Sequence, residues 1–188
     1  MGFSTVLKKL LINSGHYFNK MASEGDILKA VSLLKPVATG HDLVRIGGEG
    51  DGGYLVPDDL HGLSACFSPG VSTTADFEQE MADKYGIKSF LADYSVEKPP
   101  LLNENFDFEK KYLGMVNDET YMRLEDWIIN KEGKSSNNDL ILQMDIEGGE
   151  FDVIVDTPAD VLRKFRIMVI EFHGMEMMFD AISLKVIT

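Results

Sequence analysis

The sequence predicts an α/β fold built on a doubly wound, mostly parallel sheet, and three observations carry that prediction. Short apolar runs recur at residues 63–67, 87–92, 140–144 and 167–170. Helical spacing fills the intervals between them. The polar residues able to do chemistry gather just after the runs end. Uninterrupted apolar strands alternating with helices mark a parallel sheet buried on both faces.

The elements follow in chain order. Val6, Leu10, Leu11 and Phe18 fall near one helix face, with Lys8 and Lys9 off it. Ile27, Leu28, Val31 and Leu34 repeat the pattern until Pro36 stops it. A basic amphipathic entry of this kind packs on its own domain or touches a membrane surface, and packing is favoured. Residues 1–41 are therefore expected as a helical extension, ahead of a domain over 42–188. Two β-like runs, 43–46 and 54–56, flank a loop with five glycines in residues 47–53. That loop is either a hairpin connection or a flap closing over a ligand.

Residues 63–67 read as a buried strand and 68–72 as a turn. Thr73 with Asp76 forms a capping-box start. Phe77, Met81 and Tyr85 then recur along a helix that Gly86 terminates. The strand 87–92 leads into Asp93. A Pro-Pro pair at 99–100 and an Asn-rich loop precede a weak strand at 112–113 and a helix near 121–129. The polar stretch 135–138 is a surface connection. The strand 140–144, a helix over 150–165 and the strand 167–170 complete the pattern.

Composition limits the function. Of 188 residues, 44% are hydrophobic and 26% charged, with a net charge of −13, the balance of an ordinary globular protein. Residues 1–48 carry +3, leaving −16 on the remainder. Such an acidic surface disfavours nucleic acid and anionic lipid. Cys66 is the single cysteine, so no internal disulfide or multi-cysteine zinc site forms. No apolar run reaches the roughly 18–20 residues of a membrane span. Lys8, Lys9, Asn13 and His16 interrupt any signal-peptide core. The expectation is a reduced, cytoplasmic protein with a small-molecule partner.

In doubly wound sheets ligands bind beyond the carboxyl ends of the strands, where strand order reverses. Gly70 lies in the first strand-to-helix turn, and Asp93 follows 23 residues later, close to the ~20-residue spacing of a ribose-binding acid. The turn carries one glycine and Pro69, too few converging N–H groups for a pyrophosphate cradle. A nucleoside without phosphates fits better than NAD. Asp145, Glu147 and Glu150 crowd the end of the third clear strand, more acids than a helix cap requires. Glu171 and His173 share a face in an extended chain, which makes His173 a candidate general base. Asp145, Glu171 and His173 could instead hold a divalent metal, a less favoured alternative. Asp51 and Tyr54 can reach acceptor or cofactor from the glycine loop. Trp127, Cys66 and the methionines 175, 177 and 178 read as packing residues.

The segment Met144-Asp-Ile-Glu-Gly-Gly-Glu-Phe151 resembles the K-x-D-x-E-G-x-E signature of FkbM-type S-adenosylmethionine-dependent methyltransferases, with Gln143-Met144 in place of the usual basic residue. Arg45-Ile-Gly, residues 51–57, Ser68-Pro-Gly-Val-Ser72 with Phe77-Glu78, and Val169-Ile-Glu-Phe-His173 resemble one branch of that family in the same order. The likeness covers about residues 42–180. It implies a Rossmann-like fold of the class I methyltransferase type, S-adenosylmethionine as cofactor, and a hydroxyl acceptor on a sugar or other small molecule. It further implies that Ser68 and Gly70 meet the amino-acid end of the cofactor, Asp93 its ribose and Asp145 the methyl group. Family members continue for two more strands, so the sheet is expected to lack its last two. The site expected from all of this is catalytic Asp145, Glu147 and His173, cofactor-binding Ser68, Gly70, Asp93 and Asp145, and acceptor-binding Asp51, Tyr54 and Glu171. A catalytically silent nucleoside-binding remnant and an NAD-dependent oxidoreductase are the alternatives.

Overall fold

The computed structural model describes residues 11, 13–14, 19–132 and 139–187. They fall into two compact units, Ala38–His173 and a second drawn from Met1–Val37 and Gly174–Thr188. The first helical pattern, apart from Leu11, and the connection at 135–138 lie outside the described residues.

The larger unit holds a five-stranded, all-parallel sheet. Its strands are β3 (Ala65–Pro69), β4 (Lys88–Ala92), β5 (Phe106–Glu109), β8 (Leu140–Met144) and β9 (Phe165–Ile170). They lie in the order β5-β4-β3-β8-β9. Chain order reverses between β3 and β8, the Rossmann-like arrangement that opens a crevice at their carboxyl ends. A hairpin of β1 (Leu43–Ile46) and β2 (Tyr54–Pro57) pairs antiparallel beside it, so residues 47–53 connect a hairpin. A two-residue parallel pair joins β6 (Tyr112–Leu113) and β7 (Tyr121–Met122).

Alternation along the strands builds a core on each face. Phe67, Phe90, Leu140, Leu142 and Phe165 point one way, against Leu124, Trp127 and Ile128 of α3 (Leu124–Glu132) and Val153 of α4 (Glu150–Asp156). Phe67 anchors this face, with Trp127 edge-on at 5.0 Å. Cys66, Ile141 and Ile167 point the other way, against Phe77 and Met81 of α2 (Asp76–Tyr85) and Ile46 and Val56 of the hairpin. Trp127 and Cys66 are both packing residues, as their surroundings in the sequence imply.

Four local differences from the sequence reading have physical causes. Strand β5 was not anticipated. Its Phe-Asp-Phe-Glu repeat is short, half-buried and at a sheet edge, so it lacks the apolar run that marked the inner strands. The capping box at Thr73 does not form: α2 begins at Asp76 with Ala75 as N-cap and no side-chain cap. The carboxylate of Asp93 accepts Ser72 N–H at 2.8 Å and Ser72 adopts φ +38°, which delays the helix. The expected helix over 150–165 divides into α4 and α5 (Ala159–Leu162). Pro158 forces Thr157 to an extended ψ of 125°. The helix expected from 121 starts at Leu124, because Tyr121 and Met122 are taken into β7.

In the second unit, α1 (Glu24–Leu33) starts at Ser23, whose hydroxyl accepts Asp26 N–H at 3.2 Å. Backbone bonds Ala22 N–H to Phe179 and Ala181 N–H to Lys20 tie its two chain segments together. A 3-10 helix, Met175–Phe179, carries the clustered methionines, none of them buried and Met177 exposed, so they are not the packing residues expected. Helix α6 (Ser183–Ile187) follows it. No helix among the described residues is long and apolar enough to cross a membrane.

Candidate active site

A cleft of about 530 Å³ opens at the carboxyl ends of the strands in the larger unit. Its size suits a cofactor or small metabolite. Asp51, Tyr54, Gly70, Asp93, Asp145 and Glu147 line it together, so six of the residues singled out in the sequence converge. Ser68, Glu171 and His173 do not line it, but each contacts a residue that does.

The electrostatics of the lining are one-sided. Asp51, Asp76, Glu78, Asp93, Asp145 and Glu147 present carboxyl groups, and no Lys, Arg or His is among the lining residues. A polyanion would meet only like charge here, whereas a cation is favoured.

Gly70 is fixed by the crossing of two strand ends. A Cβ built on it would lie 1.6 Å from the Asp145 carbonyl oxygen, and its φ is +90°. The turn and the head of β8 therefore touch through backbone. Asp93, only 4% exposed, accepts Ser95 N–H at 2.7 Å and Ser95 O–H at 2.6 Å as well as Ser72 N–H. The last of these bonds ties the turn before α2 to the end of β4 at the cleft.

Asp145 Oδ2 accepts the Tyr54 hydroxyl at 3.2 Å, and Glu171 Oε2 stands 3.4 Å from the same hydroxyl. Burial and the Glu171 charge push the Asp145 carboxyl above the usual carboxylate range. Burial, Asp145 and Glu171 likewise push the Tyr54 phenol well up, so Tyr54 stays a donor. Asp145 Oδ1 is buried without a hydrogen-bond partner among the described residues. An orphaned acceptor at an acidic cleft is suited to a cationic ligand.

Glu150 holds the imidazole. Its side chain has no exposed surface, and it accepts Ile146 N–H at 3.2 Å, Gly148 N–H at 3.0 Å and His173 Nδ1 at 3.1 Å. Burial opposes its charge, yet these donors, Gly148 first, hold its carboxyl below the usual range. The helix that Glu150 opens has no side-chain cap, so the capping role suspected of Asp145 and Glu147 is not what holds them here. With Nδ1 engaged, His173 turns Nε2 toward Glu147 at 3.6 Å, Asp145 at 3.9 Å and Glu171 at 4.0 Å. None is within hydrogen-bonding range, so the Nε2 lone pair is available. The Glu150 bond and the surrounding acids raise the His173 pKa above its ordinary value. Asp145, Glu147 and His173, and separately Asp51, Asp145 and Glu171, each bring ligand atoms within 4.8 Å of one another. Either trio could close on a divalent cation; the set expected from the sequence, Asp145, Glu171 and His173, is divided between them.

The glycine loop is braced from below. Arg45 Nε donates to the Gly48 carbonyl at 2.8 Å and Nη2 to that of Gly50 at 2.9 Å, while Glu80 accepts Gly47 N–H at 2.8 Å. Arg45→Met is expected to speed proteolytic cleavage within 47–53 several-fold. Because Arg45 is exposed, it should cost about 1 kcal/mol or less of global stability, a Tm shift of at most roughly 2–4 °C.

Sequence reasoning missed Glu150 as the imidazole anchor, Glu78 on the cleft floor, and the Tyr112–Tyr121 ring pair, 5.8 Å apart, beside it. Glu150 was visible only as one of three clustered acids. The tyrosines come together through β6, the weak strand expected at 112–113, and β7, which was read as the start of a helix.

A family model, the methyltransferase FkbM domain, matches residues 75–185. No curated protein and no solved structure matches the chain. The matched segment takes in five of the six lining acids, Asp76, Glu78, Asp93, Asp145 and Glu147, together with Glu150 and His173 behind them. With more than half of its length matched, the chain belongs to the FkbM methyltransferase domain family.

Proposed function

We propose that the chain transfers a methyl group from S-adenosylmethionine to a hydroxyl of a small molecule or glycan. The observation that carries this reading is the cleft lining, six carboxyl groups with no basic residue. A sulfonium is a cation, and this lining complements it, whereas the pyrophosphate of a nicotinamide dinucleotide would be repelled. The buried, unpartnered Asp145 Oδ1 and the apolar wall of Leu113, Tyr112 and Tyr121 suit the charged and aromatic parts of the same ligand.

When bound, S-adenosylmethionine supplies an electrophilic methyl carbon for in-line displacement. Asp93 is the ribose partner, and Ser68 and Gly70 border the amino-acid end. Asp145 and Glu147 supply negative potential beside the reacting centre. Tyr54, its hydroxyl donated to Asp145, and the neighbouring Glu171 orient the acceptor together with Asp51 at the loop. His173 Nε2 takes the acceptor's hydroxyl proton, and Glu150 stabilises the resulting imidazolium. Most of the rate gain comes from holding two reactants in line away from water.

Calorimetric titration tests the reading. S-adenosylmethionine and S-adenosylhomocysteine are expected to bind and NAD to give no heat. Asp93→Ala is expected to weaken S-adenosylhomocysteine binding roughly ten- to a hundredfold, the worth of hydrogen bonds to a charged acceptor. Binding of NAD with no response to either sulfur nucleoside would overturn the assignment.

A further inference from the structure

The floor of the cleft holds an acid that the chemistry above does not use. Glu78 is 2% exposed and lines the cleft, and no ion pair to it forms among the described residues. Its Oε1 is hydrogen-bonded to the Ser68 hydroxyl, which also lies 2.6 Å from Gln143 Oε1. One hydroxyl proton cannot serve two acceptor oxygens. As placed, the trio closes when Glu78 is a neutral acid donating to Ser68, which donates to Gln143. Turning the Gln143 amide over lets the same trio hold the ionised form, with Gln143 donating to Ser68 and Ser68 to Glu78. Burial holds the Glu78 carboxyl up at about 7. The groups facing it are Asp76 on its own helix, the Cys66 thiol and Ser68 on β3, and Gln143 on β8. None is a cation.

We propose that Glu78 is the counter-ion for the α-ammonium group of S-adenosylmethionine, giving up its own proton when that ammonium enters the cleft. The inference rests on the cleft being the S-adenosylmethionine site and names the charged partner of the amino-acid end. A buried carboxyl without a cation is held neutral by desolvation, and a ligand ammonium in contact with it reverses the balance. The carboxylic O–H then releases its proton to solvent, leaving a carboxylate paired with the ammonium and bonded by Ser68. The neutral form keeps the floor satisfied while the cleft holds no ligand. Below about pH 7 the neutral form prevails until a ligand that carries both nucleoside and amino acid brings in its ammonium.

The test is titration calorimetry at pH 6 in buffers of different ionisation enthalpy, with S-adenosylhomocysteine and with 5′-methylthioadenosine, which lacks the amino-acid end. At pH 6 a carboxyl titrating near 7 is mostly protonated, so close to one proton per S-adenosylhomocysteine is expected to be released, and none with methylthioadenosine. Glu78→Gln keeps shape and hydrogen bonds, and thermal unfolding checks its fold. It should abolish the proton release and weaken S-adenosylhomocysteine roughly ten- to a hundredfold, leaving methylthioadenosine within about twofold. Equal release with both ligands, or equal weakening of both by Glu78→Gln, would overturn the counter-ion role. Should Glu78→Gln not fold, the wild-type comparison of the two ligands still decides. No binding of either nucleoside by the wild type would instead bring down the cofactor reading itself, so the two failures are told apart.

Discussion

Gly70→Ala is expected to prevent stable folding, with a loss on the order of 4 kcal/mol or more. The added methyl would stand 1.6 Å from the Asp145 carbonyl oxygen and 2.7 Å from its carbon. Both atoms are backbone, so no rotamer change relieves the clash, and moving them displaces the head of β8, a central strand. A φ of +90° adds strain for any residue with a Cβ. Gly148→Ala makes the comparison: φ is +116° but nothing lies within 4 Å of the added carbon, so roughly 1–2 kcal/mol of strain is the whole cost. Urea unfolding of both variants separates the two effects. Similar midpoints for the pair would show that the strand contact at Gly70 is not what demands glycine.

His173→Ala is expected to lower turnover roughly 10²–10⁴-fold, the usual contribution of a positioned base, while S-adenosylhomocysteine affinity stays within about twofold. The imidazole lies outside the cleft lining and faces it only through Nε2, so its loss should spare the nucleoside. The pH dependence has a definite sign. With His173 as the proposed base, turnover needs Nε2 unprotonated, and the Glu150 bond with the neighbouring acids raises the His173 pKa above its ordinary 6.5. Activity should therefore fall as pH drops through a value above 6.5, not below it. Glu147 stands 3.6 Å from Nε2 with a mostly exposed side chain, so Glu147→Gln should move that limb slightly down. A pH–rate profile with its acid limb below 6.5, or His173→Ala at full turnover, would remove the base from its role.

Much of the fold was legible because the inner strands are apolar on both faces. Residues 140–144 could hardly be read otherwise. Residues 167–170, at the sheet edge opposite β5, were legible because their run is apolar all the same, and Gly86 ends α2 in the left-handed conformation expected of it. The edge strand at Phe106–Glu109 escaped because one side of it meets solvent and half its residues are acids. The break at Pro158 was visible in principle, since the residue before proline leaves the helical region. At the site, the rule that ligands meet strand ends placed Asp93 and Asp145 at the cleft from spacing alone. Glu78 and Glu150 resisted the same reasoning for one physical reason. Each sits in the first turn of a helix, where an acid is unremarkable because the helix dipole favours it. Only burial distinguishes them, and burial depends on which strand end each helix is laid across. Sequence spacing does not carry that information.

The bracing of residues 47–53 by Arg45 and Glu80 bears on how tightly the protein can hold a guest. A flap that swings shut must be immobilised at each encounter, and that ordering subtracts from affinity every time. Here Arg45 and Glu80 already tie the loop's backbone to the fold, so less ordering is left to be done when a ligand arrives.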